Sequence, residues 1–161
     1  MTEERRFDIE FEGTGKATGK MRNDIAVTFT TMGERFDLAT DEGRFHGGDG
    51  TAAPPLALFT AALIGCVMTQ IRAFSKRLDV PVGEVEVGAR MHWEGRQVGR
   101  APYVTAPVRF SLDIHLDSKA SAEDQHRLIE AAKEGCFIEQ TLKRGIEVAH
   151  RLKIGGDWQD A

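Results

Sequence analysis

Apolar and polar residues alternate through "FDIEF", "IAVTFTT" and "RFDLA", with Gly13, Gly15, Gly19 and Gly33 set among them. A period of two broken by glycines is the pattern of short strands joined by turns, so residues 1–50 are expected to form an antiparallel meander and a loop. The period returns in Val85, Val87, Ala89, Met91 and Trp93, which share one face against Glu84, Glu86, Arg90 and His92 on the other. Val108, Phe110, Leu112, Ile114 and Leu116 repeat it against Arg109, Ser111, Asp113 and His115. Residues 82–117 therefore read as a hairpin over a helix, with "EGRQVGRAPY" as its loop. A last alternating stretch, "IEVAHRLKI", predicts a C-terminal strand over 146–154.

Elsewhere the period is lost. The turn-rich "DEGRFHGGDGTAAPP" leads into a run from Leu56 to Leu78 with no proline and a single glycine, Gly65. Pro55 suits a first helical turn, so a long helix is expected over 55–78. Through Met68 that helix is apolar on nearly every side, whereas Gln70, Arg72, Ser75, Lys76 and Arg77 give its later turns a wet face. Ser121 offers an N-cap, with Glu123 and Asp124 in the first turn, to "AEDQHRLIEAAKEG". "CFIEQTLKRG" follows as a shorter helix closed by Gly145, so 121–145 holds two helices. The order predicts one α+β domain over 1–161, and a helix apolar on all sides in so small a chain calls for a second subunit to cover it.

Composition narrows the partners. The 161 residues are 41% apolar and 29% charged, ordinary globular values, with a net charge of −4 and scattered lysines and arginines. Such a surface offers no phosphate-binding stripe, so nucleic acid is not an expected partner. The start, "MTEERRFDIEFEG", is charged where a secretory signal needs an apolar run. The most apolar window, Leu56 to Met68, is too short for a bilayer. A soluble, cytoplasmic protein with no membrane partner is expected, and in a reducing compartment its two cysteines are thiols rather than a permanent staple.

Those thiols are the candidate chemistry. Cys66 lies in the apolar half of the long helix, where a cysteine serves either as a small hydrophobe or as a reactive group. Cys136 stands at the start of the short helix, where the macrodipole and free N–H groups favour thiolate. No metal site is expected, because neither cysteine has a ligand three to five residues away and His46, His92, His115, His126 and His150 are dispersed. No protease or nucleophile-elbow signature surrounds either thiol.

Taken together, "HGGDGTAAPPLALFTAALIGC", carrying Gly47, Gly48, Pro55, Ala61, Ala62, Leu63 and Cys66, and "EGCFIEQTL", carrying Cys136, Thr141 and Leu142, resemble the OsmC-like proteins and organic hydroperoxide reductases. The resemblance spans nearly the whole chain. It implies an intertwined α+β homodimer, with long central helices packed between curved antiparallel sheets, that needs no cofactor. It further implies that Cys66 is the peroxidatic thiol and Cys136 the resolving one, with an external dithiol as reductant and a small apolar hydroperoxide as substrate. The family's supporting arginine corresponds to Arg22 in "GKMRNDIAV", with Arg35 and Arg44 as alternatives. An apolar pocket lined by residues such as Phe59, Leu63, Met68 and Phe137 is expected. The chain departs from the pattern in two places: Ala57 stands where the family usually has a glutamate, and Phe137 follows Cys136 in place of a proline. Glu139, one turn after Cys136, is a carboxylate that could reach the site from the other helix. Loss of the glutamate opens a second reading, a catalytically weakened dimer that binds a small apolar ligand or serves in redox sensing.

Overall fold

The computed structural model describes residues 4–161. It divides into two compact units, Met1–Phe59 and Thr60–Ala161.

The first unit is a three-stranded antiparallel sheet in the order β1 (Phe11–Ala17), β2 (Asn23–Phe29), β3 (Glu34–Thr40). Strand β1 begins at Phe11 rather than at Phe7, because Phe11 pairs with Phe29 and residues before it run beyond the end of β2. Register sets the faces. Ile25 opposite Leu38 and Val27 opposite Phe36 make one side apolar, while Lys16 opposite Asp24 and Ala26 opposite Asp37 fall on the other. Phe36 and Leu38 remain about half exposed on that apolar side. After β3 the chain folds back through Asp41 and a short 3-10 turn, Arg44–His46, that ends on Gly47 in the left-handed region at φ 83°.

In the second unit, helix α1 (Pro55–Leu78, entering from the first unit) contributes Leu63, Val67 and Ile71 to the core. Their spacing of four places them on a single stripe. The rest of the apolar half is not buried, and Leu56 and Leu58 are exposed, so the expected all-round burial is not met within one chain. A single hairpin and two helices can cover only one side of so long a rod. The helix continues apolar past Met68 through Ile71, Ala73 and Phe74, and by length and composition it is long enough to cross a membrane, contrary to the shorter window read from the sequence. It ends where Asp79 turns left-handed at φ 54° and the Val80 N–H bonds the Ser75 carbonyl, just ahead of Pro81.

Strands β4 (Val85–Arg96) and β5 (Val104–Leu116) form the antiparallel hairpin; burial alternates as the sequence predicts along β4 and from Leu112 on in β5, whereas Val108, passed over where the register shifts between His92 and Trp93, is half exposed. Val85, Met91, Leu112, Ile114 and Leu116 pack on the α1 core. Helix α2 (Ala122–Gly135) starts at Ser121, whose side chain accepts the Asp124 N–H at 3.1 Å. It adds its own stripe, Leu128, Ala132 and, just past its end, Cys136. Helix α3 (Phe137–Arg144) follows at once. The C-terminal strand is shorter than expected: β6 spans Arg151–Ile154 and pairs with a further strand, β7 (Asp157–Asp160), across Gly155 and Gly156. Positive φ at both glycines, 61° and 107°, is what a two-residue hairpin requires. Ile146 and Val148 alternate in sequence but lie outside the strands of the described residues and stay exposed.

Candidate active site

The fold brings the two thiols together. Cys66 is half-buried on α1, Cys136 is fully buried, and the Cys66 side chain stands close enough to Cys136 to push its thiol up. Two features of the sequence produce this meeting. Cys66 precedes Val67, at the edge of the buried α1 stripe, and Cys136 extends the α2 stripe by one more step of four. Gly135 lets the stripes approach, since a Cβ there would lie 2.5 Å from the Phe74 ring of α1.

Cys136 occupies the N-cap of α3, and its sulfur accepts the Glu139 backbone N–H at 3.4 Å. The expectation that a helix N-terminus makes this cysteine a thiolate is overturned. Burial pushes the thiol up from 9.0 to about 11, more than the Glu139 N–H lowers it, and the adjacent Cys66 sulfur raises it further. Position at a helix start stabilises charge only when the group keeps some water; here desolvation wins.

The second unit holds a cavity of about 550 Å³ whose lining includes neither cysteine, though it takes in Val67, next to Cys66 in sequence, and Glu139, whose N–H the Cys136 sulfur accepts. Leu63 and Val67 of α1, Phe110, Leu112 and Ile114 of the hairpin and Ile129 of α2 form its apolar wall, with Lys133, Glu139 and Lys143 among its polar groups. Of the residues expected to line a pocket, Leu63 does so. Met68 and Phe137 do not: each residue turns 100° along a helix, which carries Met68 off the Leu63/Val67 face, and Phe137 is half exposed. Phe59 belongs to the first unit. The hairpin residues that take their place were legible only as one face of a strand.

Arg22 lies in the first unit, in the turn before β2. Its Nη2 and Nε reach Asp24 at 2.9 and 3.0 Å, and its Nη1 donates to Thr51 Oγ1 at 2.9 Å. Arg35 pairs with Asp37 alone and its side chain is 62% exposed, against 34% for Arg22. Arg44 sits in the exposed 3-10 turn. Ala57 carries no carboxylate, and none lies between Pro54 and Cys66. Among the described residues, no group of three or more histidines, cysteines or carboxylates converges as a metal site would require. His46 stands 3.5 Å from Glu42 on the surface.

The OsmC family model, described as OsmC-like protein, matches residues 48–151. The chain belongs to the OsmC-like family. It is 50% identical to an OsmC-like hydroperoxide resistance protein from Jannaschia sp. CCS1 whose crystal structure is known, with 95% of this chain and 98% of that one covered and a TM-score of 0.66. An organic hydroperoxide resistance protein from Elizabethkingia anophelis is similar in fold at 19% identity, covering 89% and 93% with a TM-score of 0.60. So is an organic hydroperoxide resistance protein OsmC from Legionella pneumophila, at 18% identity, 88% and 93% coverage and a TM-score of 0.58. No curated protein matches the chain. The family match takes in both cysteines and the last part of the loop before α1, and the α+β architecture of three helices and antiparallel sheets is the family's.

Proposed function

We propose that this OsmC-like protein protects against peroxide as a thiol-dependent reductase of organic hydroperoxides, cycling between a Cys66/Cys136 dithiol and its disulfide. The observation that carries the reading is the pairing of a half-buried Cys66 with a Cys136 that holds its proton to about 11. A buried thiol that keeps its proton is a poor first nucleophile, so the attack is assigned to the more accessible Cys66. The Cys66 thiolate attacks the outer peroxide oxygen, the O–O bond breaks, and the alkoxide takes a proton and leaves as the alcohol. The Cys66 sulfenic acid then condenses with the Cys136 thiol: an S–S bond forms, the S–O bond breaks, and the hydroxyl departs with the thiol proton as water. An external dithiol in a reducing cytoplasm returns both sulfurs to thiols and is itself oxidised. The apolar cavity of the second unit, lined by Val67 and Glu139 among others, is assigned to the alkyl chain of the peroxide, which favours alkyl hydroperoxides over hydrogen peroxide. Arg22 is the fixed positive charge assigned to the thiolate.

The working form is a homodimer. The chain exposes 12964 Å², where a compact monomer of this mass exposes about 8,000 Å² and two separate compact units of these sizes about 9,500 Å². Bare apolar side chains supply much of the excess, among them Phe11, Phe36 and Leu38 in the first unit and Ile146, Val148 and Trp158 in the second. A second copy is the cover the family suggests.

Ala57 favours one other reading, a dimer of the same fold that holds a small apolar ligand or senses redox state without rapid turnover. One experiment separates them. Reduced protein is mixed with one equivalent of an organic hydroperoxide or of hydrogen peroxide, and thiol loss and disulfide mass are followed for wild type, Cys66→Ser and Cys136→Ser. The peroxidase reading expects fast disulfide formation with the organic peroxide, a trapped sulfenic acid in Cys136→Ser, and no reaction in Cys66→Ser. Oxidation no faster than that of a free thiol, and equal for both peroxides, overturns it in favour of ligand binding.

A further inference from the structure

Among the described residues of the first unit, Asp41 is a charged side chain almost wholly withdrawn from solvent, at 1% exposure. Its Oδ2 accepts both the backbone N–H and the hydroxyl of Thr51, each at 2.9 Å. The same Thr51 accepts from Arg22 Nη1, at 2.9 Å on Oγ1 and 3.4 Å on the carbonyl. A threonine hydroxyl has one proton and two lone pairs, whereas a carboxylate only accepts. The proton is therefore committed to Asp41, and a lone pair is left facing the guanidinium. The chain of donors runs one way, from Arg22 to Thr51 to Asp41.

Two further observations bear on why a carboxylate stands there. Hydrogen bonds from the Thr51 backbone N–H first, and then from the Thr51 hydroxyl, helped by the nearby backbone N–H groups of Glu42 and Asp49, hold Asp41 below the usual carboxylate range against the opposing effect of burial. Its Oδ1 nevertheless has no partner in hydrogen-bond geometry, and a buried polar atom left unsatisfied calls for a role beyond packing. The loop closes on it: a Cβ on Gly48 would come within 2.9 Å of Oδ1 and 1.8 Å of the Glu42 carbonyl, so the chain can pass over the carboxylate only as glycine.

We infer that Asp41 is a positioning residue that, through the Thr51 hydroxyl, fixes the orientation of the Arg22 guanidinium. The inference rests on the reading of Arg22 as the arginine that supports the Cys66 thiolate. An arginine held on two sides, by Asp24 and by the Thr51–Asp41 relay, presents its remaining N–H groups in one direction rather than many.

The test has two readouts on the full-length reduced protein. In the first, side-chain NMR follows the Arg22 Nε and Nη groups in wild type, Asp41→Asn, Thr51→Val and Thr51→Ser. The relay expects slowly rotating, separated Nη signals in wild type and Thr51→Ser, merged in Asp41→Asn and Thr51→Val. In the second, the pH profile of Cys66 alkylation by iodoacetamide is measured in a Cys136→Ser background, with Arg22→Met as the floor. The expected rate below pH 8 falls several-fold toward that floor in Asp41→Asn and Thr51→Val and is restored in Thr51→Ser. Wild-type Nη signals in Thr51→Val overturn the relay whatever the thiol does. Merged signals with Cys66 reactivity unchanged, in Arg22→Met as well, uphold the relay and overturn the role given to Arg22. Thr51 is an exposed residue, so its variants carry the test if Asp41→Asn does not fold.

Discussion

Asp41 and Cys136 are equally hidden from water, at 1% and 0% exposure, yet they end in opposite charge states. Asp41 is held ionised and Cys136 is held neutral. Burial disfavours charge at both, so the difference comes from the donors each receives. The carboxylate takes two hydrogen bonds of 2.9 Å from Thr51, whereas the sulfur takes one of 3.4 Å from Glu139 and faces a second sulfur. A loop that folds its own N–H groups inward can keep an anion away from solvent; a helix start that offers one long bond cannot. In the proposed readings the first arrangement orients a cation, and the second stores a proton for the water that disulfide formation would release.

The contrast is broken most severely at the glycines that let each site close. Gly48→Ala places a methyl against the Glu42 carbonyl, so the loop over Asp41 must open; a loss of roughly 1–3 kcal/mol or more is expected in urea unfolding. Gly135→Ala meets the edge of the Phe74 ring instead, which can yield in part. Its expected loss is smaller, roughly 1–2 kcal/mol, with slower Cys66–Cys136 disulfide formation in the peroxide assay. Titration sharpens the comparison further. Between about pH 9 and pH 11 the unfolded chain releases the Cys136 proton while the folded chain retains it, so stability that is complete below pH 9 is lost as pH rises through that window. Denaturant titrations under reducing conditions are expected to show this fall in wild type and a flatter alkaline limb in Cys136→Ser. The smallest effect belongs to Lys20→Met, which removes the exposed 2.8 Å pair with Asp49 at the edge of the Asp41 loop. The unfolding midpoint is expected to stay where it is.

Much of the fold was legible because local patterning and the core agree. The α1 limits followed from Pro55 and a following stretch with no further proline and a single glycine, the β4 face from strict alternation, and the start of α2 from Ser121. Where pairing decides, the pattern misled: the alternation of Phe7 to Glu10 and of Ile146 to His150 runs on past the ladders, which end at Phe11 opposite Phe29 and at Arg151 opposite Asp160. The Gly155–Gly156 turn was a readable hairpin signal that the alternation upstream masked. The candidate site was legible by residue and not by environment. Spacing by fours along α2 leads from Leu128 to Cys136, yet only packing reveals that this stripe meets Cys66 and that desolvation outweighs the helix terminus. Asp41 and Thr51 gave no signal at all, since ten positions in a glycine-rich loop carry no period from which a contact could be read.

The bare apolar faces of both units have a bearing on how the stability of this protein is to be expressed. Side chains such as Phe36, Leu38 and Trp158 are left to water by the chain that carries them, and a second copy is their proposed cover. The free energy of the folded state then contains the protein's own concentration. Each tenfold dilution removes about 1.4 kcal/mol per mole of dimer, and the melting temperature falls with it. A melting temperature for this chain is expected to be a curve against concentration rather than a single number.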